Sequence, residues 1–175
     1  MAQRSGAPPV LLAAGGTGGH LFPAEALAHA LARRGITVDL ATDERAERYG
    51  QKFPARQIHV IASATVNGRD PISLARTGAM LGMGTVQALR LLGRIRPGVV
   101  AGFGGYPTVP PVLAGSLRRI PTLIHEQNAV MGRANRFLAP RVTTIALSFA
   151  DCAAAITAGR TGLPVNVALA ARLRS

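Results

Sequence analysis

Apolar and polar positions fall into blocks along this chain, and the blocks have the lengths of buried strands and crossover helices. Val10 to Ala14 is an unbroken apolar run of strand length. A glycine-rich turn follows, and Pro23 to Arg34 reads as a helix with Pro23 in its first turn and Gly35 as its stop. Ile36 to Ala41 alternates apolar and polar and predicts a second strand. Asp43 to Gln51 predicts a short polar helix, Gln57 to Ile61 a third strand, and Ala62 to Pro71 a polar loop. Ile72 to Ile95 predicts a helix, although Gly78, Gly82 and Gly84 each weaken one. Val99 to Gly102 is a fourth strand, followed by a second glycine turn and a helix within Thr108 to Arg119. Thr122 to His125 is a fifth strand, Gly132 to Leu138 a helix and Val142 to Leu147 a sixth strand. Thr161 to Val165 reads as a short strand and turn, and Asn166 to Ser175 has helical composition.

Strand and helix in alternation imply an α/β fold, a doubly wound parallel sheet with right-handed crossovers. In such sheets ligands bind at the carboxyl ends of the strands. Both glycine turns and the polar run after the fifth strand lie on that edge.

Composition narrows the partners. A chain of 175 residues, 48% hydrophobic, suits one domain with a real core and rules out disorder. The formal net charge is +12, with 20 basic against 8 acidic residues, and every basic residue but Lys52 is arginine. That excess favours phosphorylated substrates or an anionic lipid surface. No nucleic acid is expected, because the chain shows neither a basic recognition helix nor an aromatic-plus-basic stripe. Cys152, the single cysteine, excludes an internal disulfide, fits a reducing compartment and reads as a small core residue. Pro97 to Leu117 is uncharged and long enough to span a bilayer, but its prolines and glycines break it into strand, loop and helix start. The apolar run of Val10 to Ala14 is too short for a signal peptide.

Three clusters carry candidate chemistry. The first is Gly15, Gly16, Thr17, Gly18, Gly19 and His20. Glycines in a strand-to-helix turn let main-chain N–H groups approach an anion, and a helix N-terminus adds partial positive charge. The spacing is not that of a dinucleotide fingerprint, and the lysine and hydroxyl residue of a P-loop are missing. His20 is placed to exchange a proton with whatever the turn holds. The second cluster is Gly102, Phe103, Gly104, Gly105 and Tyr106, another turn whose amides would do the binding. The third is His125, Glu126, Gln127 and Asn128 at a strand end. Glu126 is either a structural acid or a second candidate base, and Asn128 can both donate to and accept from a sugar hydroxyl. His29 and His59 read as ordinary helix and strand residues, and no metal-ligand spacing or cofactor is indicated. In the long helix, Ile72, Leu74, Met80, Leu81 and Met83 are interleaved with arginines that include Arg69 and Arg76. Apolar surface rimmed by arginine suits an anionic leaflet, and packing on the chain's own sheet accounts for part of it.

The runs GGTGGHLFPA, GFGGYP and IPTLIHEQNAVMGRANRFL, in that order, resemble the N-terminal domain of the MurG family of N-acetylglucosaminyltransferases. The resemblance implies the Rossmann-like N-terminal half of a GT-B glycosyltransferase. It implies transfer of N-acetylglucosamine from UDP-N-acetylglucosamine to lipid I, an undecaprenyl diphosphate-linked acceptor, with inversion. It implies His20 as general base with Glu126 as second candidate. Substrate contacts would come from Gly15, Gly16, Thr17, Gly18, Gly19, Gly104, Gly105, Tyr106, Gln127 and Asn128. Membrane contact would come from the apolar and basic patch, on the cytoplasmic face of the bacterial inner membrane. The domain organisation expected is an acceptor-binding domain over 1–163, the start of a linker over 164–175, and a donor-binding domain absent from this chain. Where the family usually has Gly-Asn-Pro-Val-Arg, this chain has Gly162-Leu163-Pro164-Val165-Asn166, so the donor-side arginine is missing. Two other readings compete: a nucleotide-cofactor domain of an oxidoreductase, with Asp43 near a ribose-binding position, and a non-catalytic membrane-surface domain.

Overall fold

A computed structural model describes residues 7–15, 17–44, 53–63, 70–149, 152 and 166–169. Among the described residues seven parallel strands form one sheet: β1 (Val10–Ala13), β2 (Val38–Thr42), β3 (Gln57–Val60), β4 (Val99–Gly102), β5 (Thr122–Glu126), β6 (Thr144–Leu147) and β7 (Asn166–Leu169). Their order is β3-β2-β1-β4-β5-β6-β7. The chain winds outward from β1 in one direction, then restarts at β4 and winds the other way. The switch point therefore lies between β1 and β4, whose registers pair Val10 with Val99 and Ala13 with Gly102. A crevice opens at the carboxyl ends of such a pair.

Alternate residues of the strands feed two cores. Leu12, Leu40 and Ala101 point to one face, where α1 (Gly18–Ala32) packs with Leu21, Ala24 and Ala28. Leu11, Val100, Ile124 and Ile145 point to the other, which is covered by α2 (Pro71–Ile95), α3 (Val109–Leu117) and α4 (Arg133–Leu138). Each fully buried aliphatic side chain stabilises the fold by about 1.5–3 kcal/mol.

Several expectations change in detail. Helix α1 begins at Gly18, not at Pro23, because the Thr17 carbonyl already accepts from the amides of His20 and Leu21 at 3.0 Å each. Pro23 therefore sits inside the helix. Helix α2 is continuous through Gly78, Gly82 and Gly84. It is capped by Asp70, whose Oδ1 accepts from the Ser73 amide at 2.9 Å. The polar member of β2's alternation does not face water: Asp39 is fully buried. It takes a two-pronged contact from Arg56, Nε to Oδ1 at 3.1 Å and Nη2 to Oδ2 at 2.6 Å, which raises the arginine's already high pKa. Asn166–Leu169, read as helical and as the start of a linker, instead extends the sheet by pairing parallel with β6. The expected helix at 43–51 and the strand and turn at 161–165 lie almost wholly outside the described residues, as do Gly16 and Arg69.

Candidate active site

The two glycine turns meet at the switch point and enclose an imidazole. The amide of Gly15 donates to the carbonyl of Gly104 at 3.2 Å, and the Phe103 amide donates to Ala13 at 2.8 Å. Thr108 closes the second turn, its hydroxyl donating to the Gly104 carbonyl at 2.6 Å. Gly104 and Gly105 have φ of +92° and +78°, values that favour glycine. They also leave space. A Cβ on Gly104 would lie 3.0 Å from Cε1 and Nδ1 of His20, and one on Gly105 would lie 3.2 Å from its Cδ2. A Cβ on Gly15 would be 3.4 Å from the same Cδ2. His20, in the first turn of α1, thus rests on both turns. Its Nδ1 lies 2.9 Å from the Phe103 carbonyl oxygen and 2.7 Å from the side-chain amide of Gln127.

This revises the expected part played by the glycines. Gly15, Gly104 and Gly105 shape a seat for His20, and the Gly15 amide is engaged by the other turn. The amides of Gly18 and Gly19 begin α1 and have no partners within the helix; Thr17 makes no side-chain cap to them. Among the described residues they are two donors at this edge that suit an anion.

Glu126, the last residue of β5, is 1% exposed and organises the neighbouring loop. Its Oε1 accepts from the Asn128 amide at 3.1 Å and from Asn128 Nδ2 at 2.9 Å. Its Oε2 accepts from the Gly132 amide and from Asn135 Nδ2, both at 2.9 Å. Burial pushes its carboxyl up, but the hydrogen bonds from Gly132, Asn135 and Asn128 outweigh that and hold it below the ordinary glutamate value. A carboxylate with four donors is a poor proton acceptor. The geometry therefore argues against Glu126 as a base and makes it the hub of the loop. His125 packs against Phe103, with ring centroids 5.6 Å apart, and its Nε2 lies 3.1 Å from the Ser148 hydroxyl. Burial lowers its pKa, against a smaller opposing pull from Glu126.

A cavity of about 320 Å³ opens beside this cluster, lined by His20, Gly104, Gly105, Tyr106, Glu126, Asn128 and residues 132–135. Five of the sequence candidates outside the first turn, Gly104, Gly105, Tyr106, Glu126 and Asn128, meet there. Gln127 lies behind His20. Thr17 and Gly19 sit at the exposed rim. Asn135 and Thr108 were not among the candidates. A signal for Asn135 existed: it lies beside Ala134 and three residues before Leu138, on the buried face of a short helix, where a polar residue needs a partner. Cys152 is buried, and burial and then the Glu126 charge push its thiol up, which suits the expected core role. Among the described residues no group of acids, histidines or cysteines is placed to hold a metal.

The patch on α2 is divided by helix geometry. At about 100° per residue, Ile72, Arg76 and Met83 share one stripe with Val86 and Arg90. Ile72 is 81% and Met83 52% exposed. Leu81 lies across the helix from that stripe and packs against the core, so it is not a surface residue of this patch. Leu74 also lies off the stripe, 49% exposed, and Met80 is half-buried between the two faces. Among the described residues no helix is long and apolar enough to cross a membrane.

Comparison with known proteins bears on the chemistry. The profile of the glycosyltransferase family 28 N-terminal domain matches residues 10–147. Two relatives are informative: a protein of Rhodopseudomonas palustris is 63% identical over 143 residues, 82% of this chain and 39% of its own length. One of Sinorhizobium medicae is 60% identical over 140 residues, 80% of this chain and 37% of its own. Both carry the name UDP-N-acetylglucosamine--N-acetylmuramyl-(pentapeptide) pyrophosphoryl-undecaprenol N-acetylglucosamine transferase. The crystal structure of Acinetobacter baumannii MurG superposes with a TM-score of 0.65 at 32% identity, over 91% of this chain and 45% of that one. A Staphylococcus aureus MnaA–UDP structure superposes with a TM-score of 0.64 at 11% identity, a likeness of fold alone. The chain spans less than half the length of these relatives.

Proposed function

This chain belongs to the glycosyltransferase family 28 N-terminal domain family, and from that membership we propose that it forms the acceptor side of an N-acetylglucosaminyltransferase. The donor is UDP-N-acetylglucosamine and the acceptor is lipid I, as the names of the relatives suggest. The observation that carries the reading is His20, seated on both glycine turns beside a cavity at the switch point of the sheet. A sugar hydroxyl is a poor nucleophile at neutral pH and needs a base. In this reading His20 takes the proton of the acceptor's 4-hydroxyl as its oxygen bonds to the anomeric carbon. The bond from that carbon to the UDP oxygen breaks on the opposite side, UDP leaves, and the configuration inverts. The uncapped amides of Gly18 and Gly19 and the turn at Gly104–Tyr106 are suited to hold the acceptor diphosphate. Asn128 is suited to a sugar hydroxyl. In this reading most of the donor pocket belongs to the part of the relatives that this chain does not match.

The exposed Ile72–Arg76–Met83–Val86 stripe supports a peripheral seat on an anionic bilayer, at the cytoplasmic face of the inner membrane. The nucleotide-cofactor reading is disfavoured because the first glycine turn lacks the dinucleotide spacing and the His20 ring is packed against Gly15, Gly104 and Gly105, where such a reading would place a pyrophosphate.

A soluble short-chain analogue of lipid I, titrated against the chain with histidine ring NMR as readout, tests the assignment. The His20 signals are expected to move on addition, and NAD to leave them unchanged. Response to NAD with none to the analogue would overturn it.

A further inference from the structure

Two groups compete for one nitrogen of His20, and the competition decides where its proton sits. Nδ1 is 2.9 Å from the Phe103 carbonyl oxygen and 2.7 Å from the Gln127 side-chain amide. A carbonyl offers only lone pairs, so a hydrogen bond to Phe103 requires Nδ1 to carry the hydrogen. An Nδ1–H cannot also accept from an amide NH2. The Gln127 amide has two ends of nearly equal size, and half a turn about its last torsion exchanges them. With its nitrogen toward His20, the Gln127 oxygen is buried without a partner, and Nδ1 and the Phe103 oxygen then oppose lone pairs across 2.9 Å unless Gln127 turns. With its oxygen toward His20, Nδ1–H is shared between two acceptors. Either orientation leaves one end of the amide without a protein partner, but only the second satisfies both groups at Nδ1.

We propose that Gln127 is a positioning residue for His20: its side-chain oxygen and the Phe103 carbonyl hold the proton on Nδ1, so that Nε2 keeps the lone pair that accepts the substrate's proton. The inference rests on the reading of His20 as the base and names the atom that acts. The seat enforces it. Flipping the ring would exchange Nδ1 with Cδ2 and lose both oxygens, while Gly15, Gly104 and Gly105 close in on the ring carbons. When Nε2 takes a proton the ring becomes cationic, and the Nδ1–H bond to two oxygens becomes charge-assisted. A neutral amide and a main-chain carbonyl here do what a carboxylate does in a Ser-His-Asp triad: they fix the tautomer and stabilise the imidazolium.

The tautomer can be read directly by two-bond 1H–15N correlation on the 15N-histidine-labelled chain, with His20 assigned by its loss in His20→Ala. The unsubstituted chain is expected to show His20 mainly as Nδ1–H. Gln127→Leu should shift the population toward Nε2–H, and Gln127→Glu, which keeps an acceptor oxygen, should restore Nδ1–H. An Nε2–H ring in the unsubstituted chain overturns the inference. So does a Gln127→Leu tautomer identical to the parent in a protein whose amide spectrum is otherwise intact. Should Gln127→Leu not fold, Gln127→Met, which also removes the side-chain oxygen on an unbranched chain of similar length, is read in its place, with the same expected shift and the same overturning result. The readout needs no substrate, so an Nδ1–H ring in a protein that ignores the lipid I analogue would count against the transferase reading and leave the tautomer assignment standing.

Discussion

Gly104 and His20 fit together so closely that a single methyl group on the glycine would stand 3.0 Å from Nδ1 and Cε1 of the imidazole. Gly104→Ala would meet two obstacles at once, the contact and a φ of +92°. We expect the substitution to lower stability by about 1–3 kcal/mol from the backbone alone. The ring can yield only by leaving the Phe103 carbonyl. Urea unfolding should show the loss, and the His20 ring signals should shift even where the fold survives. A fully stable Gly104→Ala with unchanged ring signals would mean that the turn does not seat the imidazole.

Glu126 gives a pH dependence with a definite sign. Its hydrogen bonds depress the folded-state pKa despite burial, so ionisation of this carboxyl favours the folded state. That stabilisation is present above the unfolded pKa, near 4.3 on average, and fades as pH falls through the lower folded value. Glu126→Gln puts an NH2 where donors already converge and should cost about 2–3 kcal/mol at pH 7. The gap between the two proteins should narrow as the pH drops below about 4. Unfolding curves at pH 7 and in that acid range measure it. A constant gap would show that the carboxylate charge is not what orders the loop.

The pair Asp39–Arg56, buried on one side only, makes a contrasting case. Arg56 is 53% exposed at its side chain, whereas Asp39 has no exposure at all. Removing the arginine leaves a carboxylate in the sheet without its partner, which should destabilise by about 2 kcal/mol, less than for a pair buried on both sides. Arg56→Ala followed by urea unfolding tests this, and the double variant with Asp39→Asn should recover part of the loss. Absence of any recovery would assign the effect of Arg56→Ala to something other than the stranded charge.

The sheet was legible because its signal is simple. Apolar runs such as Val10 to Ala13 and Val99 to Gly102 are short, and glycine turns mark their ends. What escaped reading depended on groups far apart in sequence. The Thr17 carbonyl starts α1 early, which moves Pro23 into the helix. The sequence shows that His20 follows a glycine turn, but not that Gly104 and Gly105, more than eighty residues on, form the other side of its seat. Glu126 looks the same as a base or as a hub until its four donors are counted. The arginines and apolar residues of α2 were visible as a composition, but only the helix register separates Met83 on the outside from Leu81 on the inside.

That register makes the membrane proposal testable. Ile72 and Met83 are eleven residues apart, close to three full turns, and project from the same stripe. The double variant Ile72→Asp/Met83→Asp removes two exposed apolar groups and adds negative charge facing an anionic leaflet. Binding to vesicles containing anionic phospholipid should fall at least tenfold, since losing about 1.4 kcal/mol suffices for that factor. Folded stability should change little, because both side chains face outward. Co-sedimentation with anionic and with neutral vesicles measures the change, and unaltered binding would remove α2 from the contact surface.

The glycines of α2 divide in the same way, by what lies opposite them. A Cβ on Gly78 or Gly82 would meet nothing within 4 Å, whereas one on Gly84 would fall 1.9 Å from the Ala62 carbonyl oxygen. Gly84 is therefore where the helix touches the end of the β3 segment, and the contact is with main chain that cannot rotate away. Gly78→Ala and Gly82→Ala should each stabilise the chain by up to about 1 kcal/mol, through helix propensity and a less flexible unfolded state. Gly84→Ala gains the same propensity but must push the helix from Ala62, and the adjacent bond from the Ala62 amide to Gln87, 2.9 Å long, would be strained with it. Overpacking of this kind costs about 1–3 kcal/mol, so the net effect should be destabilising. Thermal unfolding of the three variants side by side should give two midpoints at or above the parent and one below it. A Gly84→Ala midpoint that rises with the others would mean that the helix does not approach Ala62 this closely.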